Sequence, residues 1–132
     1  NCAPFADRLF TALSGGEQQR VQLARVLVQV SQAGKPPLLL LDEPTSAQDL
    51  QQQHLILGLA RQLCQARGYG VITVLHDLNH ALRYCDRALI LRDGQVAGMG
   101  PVKETLTPAL IARVWQYQPQ VASTTAGNTL FY

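Results

Sequence analysis

"LLLLDEPTS", Leu38 to Ser46, sets four consecutive leucines directly against two acids and a proline. An apolar run this short, bounded by Pro36-Pro37 before it and by charge after it, reads as a β-strand buried on both faces, as strands of a parallel sheet are. Asp42 and Glu43 then stand just past the carboxyl end of that strand, where open α/β sheets bind their ligands. Asp42 suits a Mg²⁺ ion, held mostly through its water shell, because Mg²⁺ dehydrates reluctantly and favours one or two carboxylates plus substrate phosphates. Glu43, one residue on, points elsewhere and suits orienting or deprotonating an attacking water. Pro44 stops the strand. A pair of solvated acids at a strand end is the plainer alternative, and four leucines leading straight into Asp-Glu-Pro weigh against it.

Downstream, Leu55, Ile56, Leu59, Ala60 and Leu63 recur at helical spacing between Leu50 and Arg67, and Gly68 and Gly70 supply a stop signal. Val71-Ile-Thr-Val-Leu75 is β-branched and apolar, a second buried strand, so the three segments make a βαβ unit. His76 follows that strand and is expected at the same sheet edge as Asp42 and Glu43. An imidazole there can donate a hydrogen bond to a terminal phosphate, although a histidine at a strand end is by itself more often structural. Asp77 can cap a short helix through Leu82. Arg87 to Arg92, Asp93-Gly94 and Gln95 to Gly98 read as a hairpin, because Asp-Gly supplies the positive φ angles of a type I′ turn. Two short helices follow, from Pro101 to Leu106 and from Thr107 to Trp115, the second with Thr107 as its cap and Pro108 at its first position. Beyond Gln116 the periodicity fades, and the polar stretch from Ala122 to Thr129 is expected as a mobile tail.

Upstream stands "LSGGEQQR", Leu13 to Arg20. Two adjacent glycines at the start of a helix need a reason, since each costs about 1 kcal/mol relative to alanine inside one. Ser14 is a preferred N-cap and Glu17 stands three residues later, a capping-box pattern that puts Gly15 and Gly16 in the first turn. That turn exposes unpaired N–H groups and the positive end of the helix dipole, and without Cβ atoms an anion such as phosphate can come close to the main chain. Easing a tight helix entry explains the glycines equally well, and these residues alone do not decide between the two. Val21, Leu23, Ala24, Val26, Leu27 and Val30 then form the helix's apolar stripe, which ends near Gly34.

Composition narrows the partners without naming them. The 132 residues carry 11 Lys and Arg against 9 Asp and Glu, a net charge of +2, which leaves no electrostatic footprint for nucleic acid or anionic lipid. At 47% hydrophobic and 15% charged residues the chain is globular rather than disordered. Cys2, Cys64 and Cys85 are widely separated and lack CxxC spacing, which argues against a disulfide framework or a zinc site and fits a reducing, cytosolic setting. No apolar run approaches the roughly 18 residues of a membrane-spanning helix, and nothing resembles a signal peptide. Asn1 opens the chain and Met99 is its one methionine, so a fragment of a longer protein is expected.

Taken in order, these segments resemble the ATP-binding-cassette ATPases, in particular the carboxyl-terminal part of their nucleotide-binding domain. "LSGGEQQR" is similar to the family signature, "LLLLDEP" to its Walker B strand, "SAQD" (Ser46 to Asp49) to its D-loop, and His76 to its switch histidine. The resemblance covers roughly Leu13 to Trp115. It implies an α/β fold: part of a P-loop NTPase (RecA-like) parallel sheet with flanking helices, a signature helix, and a C-terminal hairpin plus short helices. Residues 1–116 would be the cassette part and 117–132 a C-terminal tail. It also implies ATP and Mg²⁺ as cofactors, with Glu43 and His76 catalytic, Asp42 on the metal, and Ser14, Gly15, Gly16, Glu17 and Asp49 serving nucleotide. In this family the signature turn donates to the γ-phosphate of ATP held by the opposing subunit, so Ser14 to Gly16 would complete a site on another chain.

Two departures stand out. Gln48 occupies a D-loop position where the family commonly has leucine, and no GxxxxGK[ST] occurs, so the phosphate-cradling loop, the Q-loop and the adenine-stacking aromatic are expected to lie upstream in a longer chain. "VLHDLNHAL", "LRDGQVAGMG" and "ETLTPALIARVW" are similar to the subgroup serving haem, iron chelates and vitamin B12. The implied protein is the ATPase subunit of a bacterial importer, a head-to-tail dimer held peripherally on the cytoplasmic face of the inner membrane. Its partners would be a second copy, the permease subunits and, indirectly, a substrate-binding protein, with no nucleic acid. A soluble cassette ATPase working on DNA or ribosomes is the alternative, and a non-catalytic interaction module a third.

Overall fold

A computed structural model describes residues 2–46, 48–124 and 127–131. The chain divides into two compact units, Asn1–Val74 and Leu75–Tyr132.

In the first unit, short 3₁₀ turns at Ala3–Phe5 and Phe10–Ala12 lead into α1 (Gly15–Ser31). Strand β1 (Leu38–Leu41), α2 (Leu50–Arg67) and β2 (Gly70–Thr73) follow, and β1 and β2 pair in parallel from Leu38–Gly70 to Leu41–Thr73. Flanking bonds from Gly70 N–H to the Pro37 carbonyl and from Val74 N–H to that of Leu41 prolong the ladder. This is the βαβ unit that the strand–helix–strand pattern predicts. Helix α2 has the expected bounds: the Asp49 side chain accepts from Gln52 N–H at its start, and Gly68, in the left-handed region with φ 65°, ends it.

Within this chain the strands are covered on one face, where both were expected to be covered. Leu39 is buried on one side of β1, together with Ile56, Leu57 and Ala60 of α2, but Leu38 and Leu40 are 61% and 67% exposed. Ile72 and Val74 are exposed as well. In α1 the predicted stripe is half-buried and none of it is fully buried, because α1 and α2 leave between them an open groove of about 630 Å³, lined in part by Leu23, Leu27, Leu55 and Leu59. Covering both faces of a parallel sheet takes crossover helices on either side, and β1 and β2 have one crossover between them.

The second unit comprises α3 (Leu78–Tyr84), β3 (Arg87–Arg92), β4 (Gln95–Pro101), α4 (Val102–Thr105), α5 (Pro108–Trp115), β5 (Gln120–Thr124) and β6 (Gly127–Phe131). Asp93 and Gly94 turn the β3–β4 hairpin with φ of 51° and 75°, as its Asp-Gly sequence requires. Ile90, Val102 and Leu106 form a buried cluster, against which Leu78, Leu82, Leu110 and Val114 pack. Gly98 lets α5 approach, since a Cβ there would lie 2.9 Å from Leu110 Cδ2.

Where a mobile tail was expected, the described residues Gln120–Thr124 and Gly127–Phe131 pair as antiparallel strands β5 and β6. The Asn79 side chain fastens β6: Nδ2 donates to the Leu130 carbonyl at 3.0 Å, and Oδ1 accepts from Leu130 N–H at 2.8 Å. A partner 51 residues away leaves no periodic trace in either segment.

Candidate functional site

The glycine turn has the predicted capping box. Ser14 Oγ accepts from Glu17 N–H at 3.4 Å, and Glu17 Oε2 accepts from Ser14 N–H at 2.8 Å. Those two Ser14 groups, and Arg8 with its Nη1 3.2 Å from Oε1, hold the Glu17 carboxyl below the usual glutamate pKa, the backbone N–H contributing most. Glu17 therefore stays ionised and fixes the entry of α1. Among the described residues a Cβ on Gly15 would meet nothing within 4 Å, so none of these neighbours requires glycine there.

At the carboxyl end of β1, Asp42 is exposed, Glu43 half-buried and Pro44 buried. Glu43 adopts a left-handed backbone with φ 44°, a conformation that costs an L-residue roughly 1–2 kcal/mol. Its carbonyl accepts from Ser46 N–H at 3.0 Å, closing the turn, and from Gln19 Nε2 of α1 at 3.3 Å. The strand end and the signature helix are thus joined directly. The hydroxyl of Thr73, across from Leu41 at the same sheet edge, is buried with no hydrogen-bond partner, alone among the described side-chain polar atoms.

The residue that organises this region is Gln48, which the motifs single out merely as a departure. At 8% exposure, its Nε2 donates to the Gly16 carbonyl at 3.1 Å and to Gln19 Oε1 at 2.8 Å, while its Oε1 accepts from Arg20 Nη1 at 3.1 Å. Arg20 is itself held over the ring of Phe5. Asp49 caps α2 with its carboxylate, a structural duty beside the nucleotide role its motif implies. Ser14, Gly15, Gly16, Glu17, Asp42, Glu43 and Asp49 all fall in the first unit. His76 is exposed and falls in the second, just before Asp77, whose carboxylate caps α3 through Asn79 and His80 N–H.

The arrangement suits a hard cation and a polyanion. Among the described residues no three His, Cys, Asp or Glu side chains converge as a metal cage. An exposed carboxylate at a strand end fits the Mg²⁺ habit of taking one protein oxygen and filling its octahedron with water and phosphate. Among the same residues no helix is long and apolar enough to cross a membrane.

The ABC transporter family model matches residues 2–46, which hold both the capped turn and Asp42–Glu43, and the chain belongs to that family. The relatives it matches carry the comparison further. The hemin import ATP-binding protein HmuV of Shewanella denitrificans is 52% identical over 122 residues, 92% of this chain and 48% of that protein. The protein of the same name from Rhizobium etli is 45% identical over 130 residues, 96% of this chain and 49% of that protein. Among solved structures, an inward-facing ABC transporter assigned to the metal-chelate type matches with a TM-score of 0.80 at 29% identity, over 100% of this chain and 53% of that one. The ATP-binding cassette MJ0796, dimeric and bound to ADP and Pi, matches with a TM-score of 0.66 at 37% identity, over 75% and 40%. The chain spans about half the length of the curated relatives it matches. The fold is that of the ABC ATPase domains, mixed α/β with a parallel sheet.

Proposed function

We propose that this chain is half of the nucleotide-binding subunit of a bacterial ABC importer for haem, in which ATP closes a head-to-tail dimer and hydrolysis reopens it. The observation that carries the nucleotide reading is Gly15: a capped helix start, open to solvent, with a glycine that no neighbour among the described residues requires. A γ-phosphate docking on the N–H groups of this turn supplies the missing reason for the glycine. The cargo comes from likeness to hemin import ATP-binding proteins over most of this chain. The subunit sits peripherally on the cytoplasmic face of the inner membrane, held there by permease subunits that a substrate-binding protein loads.

Asp42 would hold the Mg²⁺ that accompanies ATP, through water, and the ion would supply positive charge beside the phosphates. Glu43 orients or deprotonates the attacking water, His76 donates to the γ-phosphate, and Asp49 and Glu17 keep the D-loop and the signature turn in place. Thr73 Oγ1 gains a partner when the sheet edge is filled.

Gly15→Asp in the whole protein tests this reading. The substitution adds bulk and a negative charge where the phosphate docks, while an acid in the first helical turn favours the dipole, so the variant folds but does not turn over. Mixed with subunits lacking a working lysine in the upstream GxxxxGK[ST] loop, it yields heterodimers with one intact site, and hydrolysis partly returns. Normal hydrolysis by Gly15→Asp homodimers would reduce Gly15 and Gly16 to helix-entry geometry.

A further inference from the structure

Two glutamine side chains connect the peptide of Gly16, in the first turn of α1, to the peptide of Glu43 at the end of β1. Gln48 Nε2 holds the Gly16 carbonyl and Gln19 Oε1, and Gln19 Nε2 holds the Glu43 carbonyl. The orientation of each amide is dictated by its partners: a flipped Gln48 would face the Gly16 carbonyl with an oxygen and the Arg20 guanidinium with an NH₂. Gln48 is also latched from α2, where Gln53 Nε2 donates to its carbonyl at 3.0 Å. A nearly buried amide with three satisfied bonds cannot shift without breaking them, so movement at one end of the relay is felt at the other.

What lies at the far end makes the relay consequential. Glu43 holds an unfavourable left-handed backbone, and its carbonyl accepts from Ser46 N–H within the turn and from Gln19 Nε2 outside it. The external bond makes the Glu43 peptide sensitive to α1. We infer that Gln48 and Gln19 are positioning residues that aim the Glu43 carboxylate according to the state of the Gly15–Gly16 turn. This rests on the function proposed above, in which that turn meets a phosphate of the opposing subunit. The relay then ties water activation at a subunit's own nucleotide to closure on the other one. An apolar side chain of similar length at position 48 fills the space and transmits nothing.

The test measures ATP turnover by the whole protein and by Gln48→Met, Gln19→Met and each of these combined with Glu43→Gln. Misplacing a reacting group by about 1 Å costs up to about 100-fold, so each Met variant is expected to lower kcat about 10- to 100-fold while KM for ATP changes less than about twofold. In the Glu43→Gln background the same substitutions should change residual turnover less than about twofold, because the group they aim is gone. An unchanged kcat in both Met variants overturns the inference. So does an equal fractional loss with and without Glu43, since that places the glutamines in the general fold. Should Gln48→Met fail to fold, Gln19→Met, at a half-buried position, carries the same test. Near wild-type turnover by Glu43→Gln alone would instead sink the assignment of Glu43 as the base, a different outcome from either.

Discussion

A Cβ placed on Gly98 in β4 would press within 2.9 Å of Leu110 in α5, whereas one placed on Gly15 at the head of α1 would meet nothing within 4 Å. The contrast extends to the units that hold them. In Leu75–Tyr132 Ile90, Val102 and Leu106 form a common core, Ile111 and Leu130 are buried as well, and Asn79 clamps the Leu130 peptide. In Asn1–Val74 the parallel pair presents Leu38, Leu40 and Ile72 to solvent, and its capped turn and acids are shaped for something else. Internal packing accounts for the core of the second unit, although Leu89, Leu91, Val96 and Met99 of its hairpin stay exposed. In the first, the open turn and the exposed strand-end acid are the features on which the proposed function rests.

The largest expected effect lies in the first unit and leaves stability aside. Glu43→Gln in the whole protein keeps ATP binding but loses turnover by about 10²–10⁴-fold, the usual worth of a general base, as steady-state hydrolysis beside an ATP-binding titration would register. Turnover near wild type would remove Glu43 from the chemistry.

Next comes packing. Ile111→Ala, at 2% exposure, should lower the unfolding free energy by about 2–5 kcal/mol in chain 1–132 and in the whole protein alike. Leu40→Ala should stay within about 0.5 kcal/mol in chain 1–132, where its side chain is exposed, and cost several-fold more in the whole protein if further chain covers that face. Urea denaturation of both forms decides it. Equal costs for Leu40→Ala in the two settings would mean that the face stays open.

The glycines themselves give a smaller and sharper contrast. Gly98→Ala should destabilise by about 1 kcal/mol as Leu110 shifts to make room, whereas Gly15→Ala should leave stability unchanged or raise it by up to about 1 kcal/mol and still slow hydrolysis. Equal melting shifts with full activity in both would erase the distinction.

The smallest effect is a pH dependence. The folded state holds the Glu17 carboxyl below its ordinary pKa, so its stabilisation is present above the unfolded-state value and disappears as pH falls through the folded one. Wild-type Tm should therefore decline more steeply than that of Glu17→Gln as pH drops through and below the ordinary glutamate range, by a small margin because solvent screens the turn. Parallel Tm-versus-pH curves would show that the capping box contributes nothing through its charge.

What the sequence determined by itself is what neighbouring residues settle among themselves. The Ser14–Glu17 capping box, the Asp49, Asp77 and Thr107 caps, the left-handed Gly68 and the Asp93-Gly94 turn all have partners within a few positions, so residue type and spacing suffice. The leucine run likewise placed β1 and the acids after it. Tertiary structure decided the rest. Gly16 and Gln48 are 32 positions apart, Gln19 and Glu43 24, Asn79 and Leu130 51, and nothing periodic marks either member of such a pair. A leucine in a strand likewise looks the same whether or not a helix covers it, because burial depends on which other segment arrives at its face.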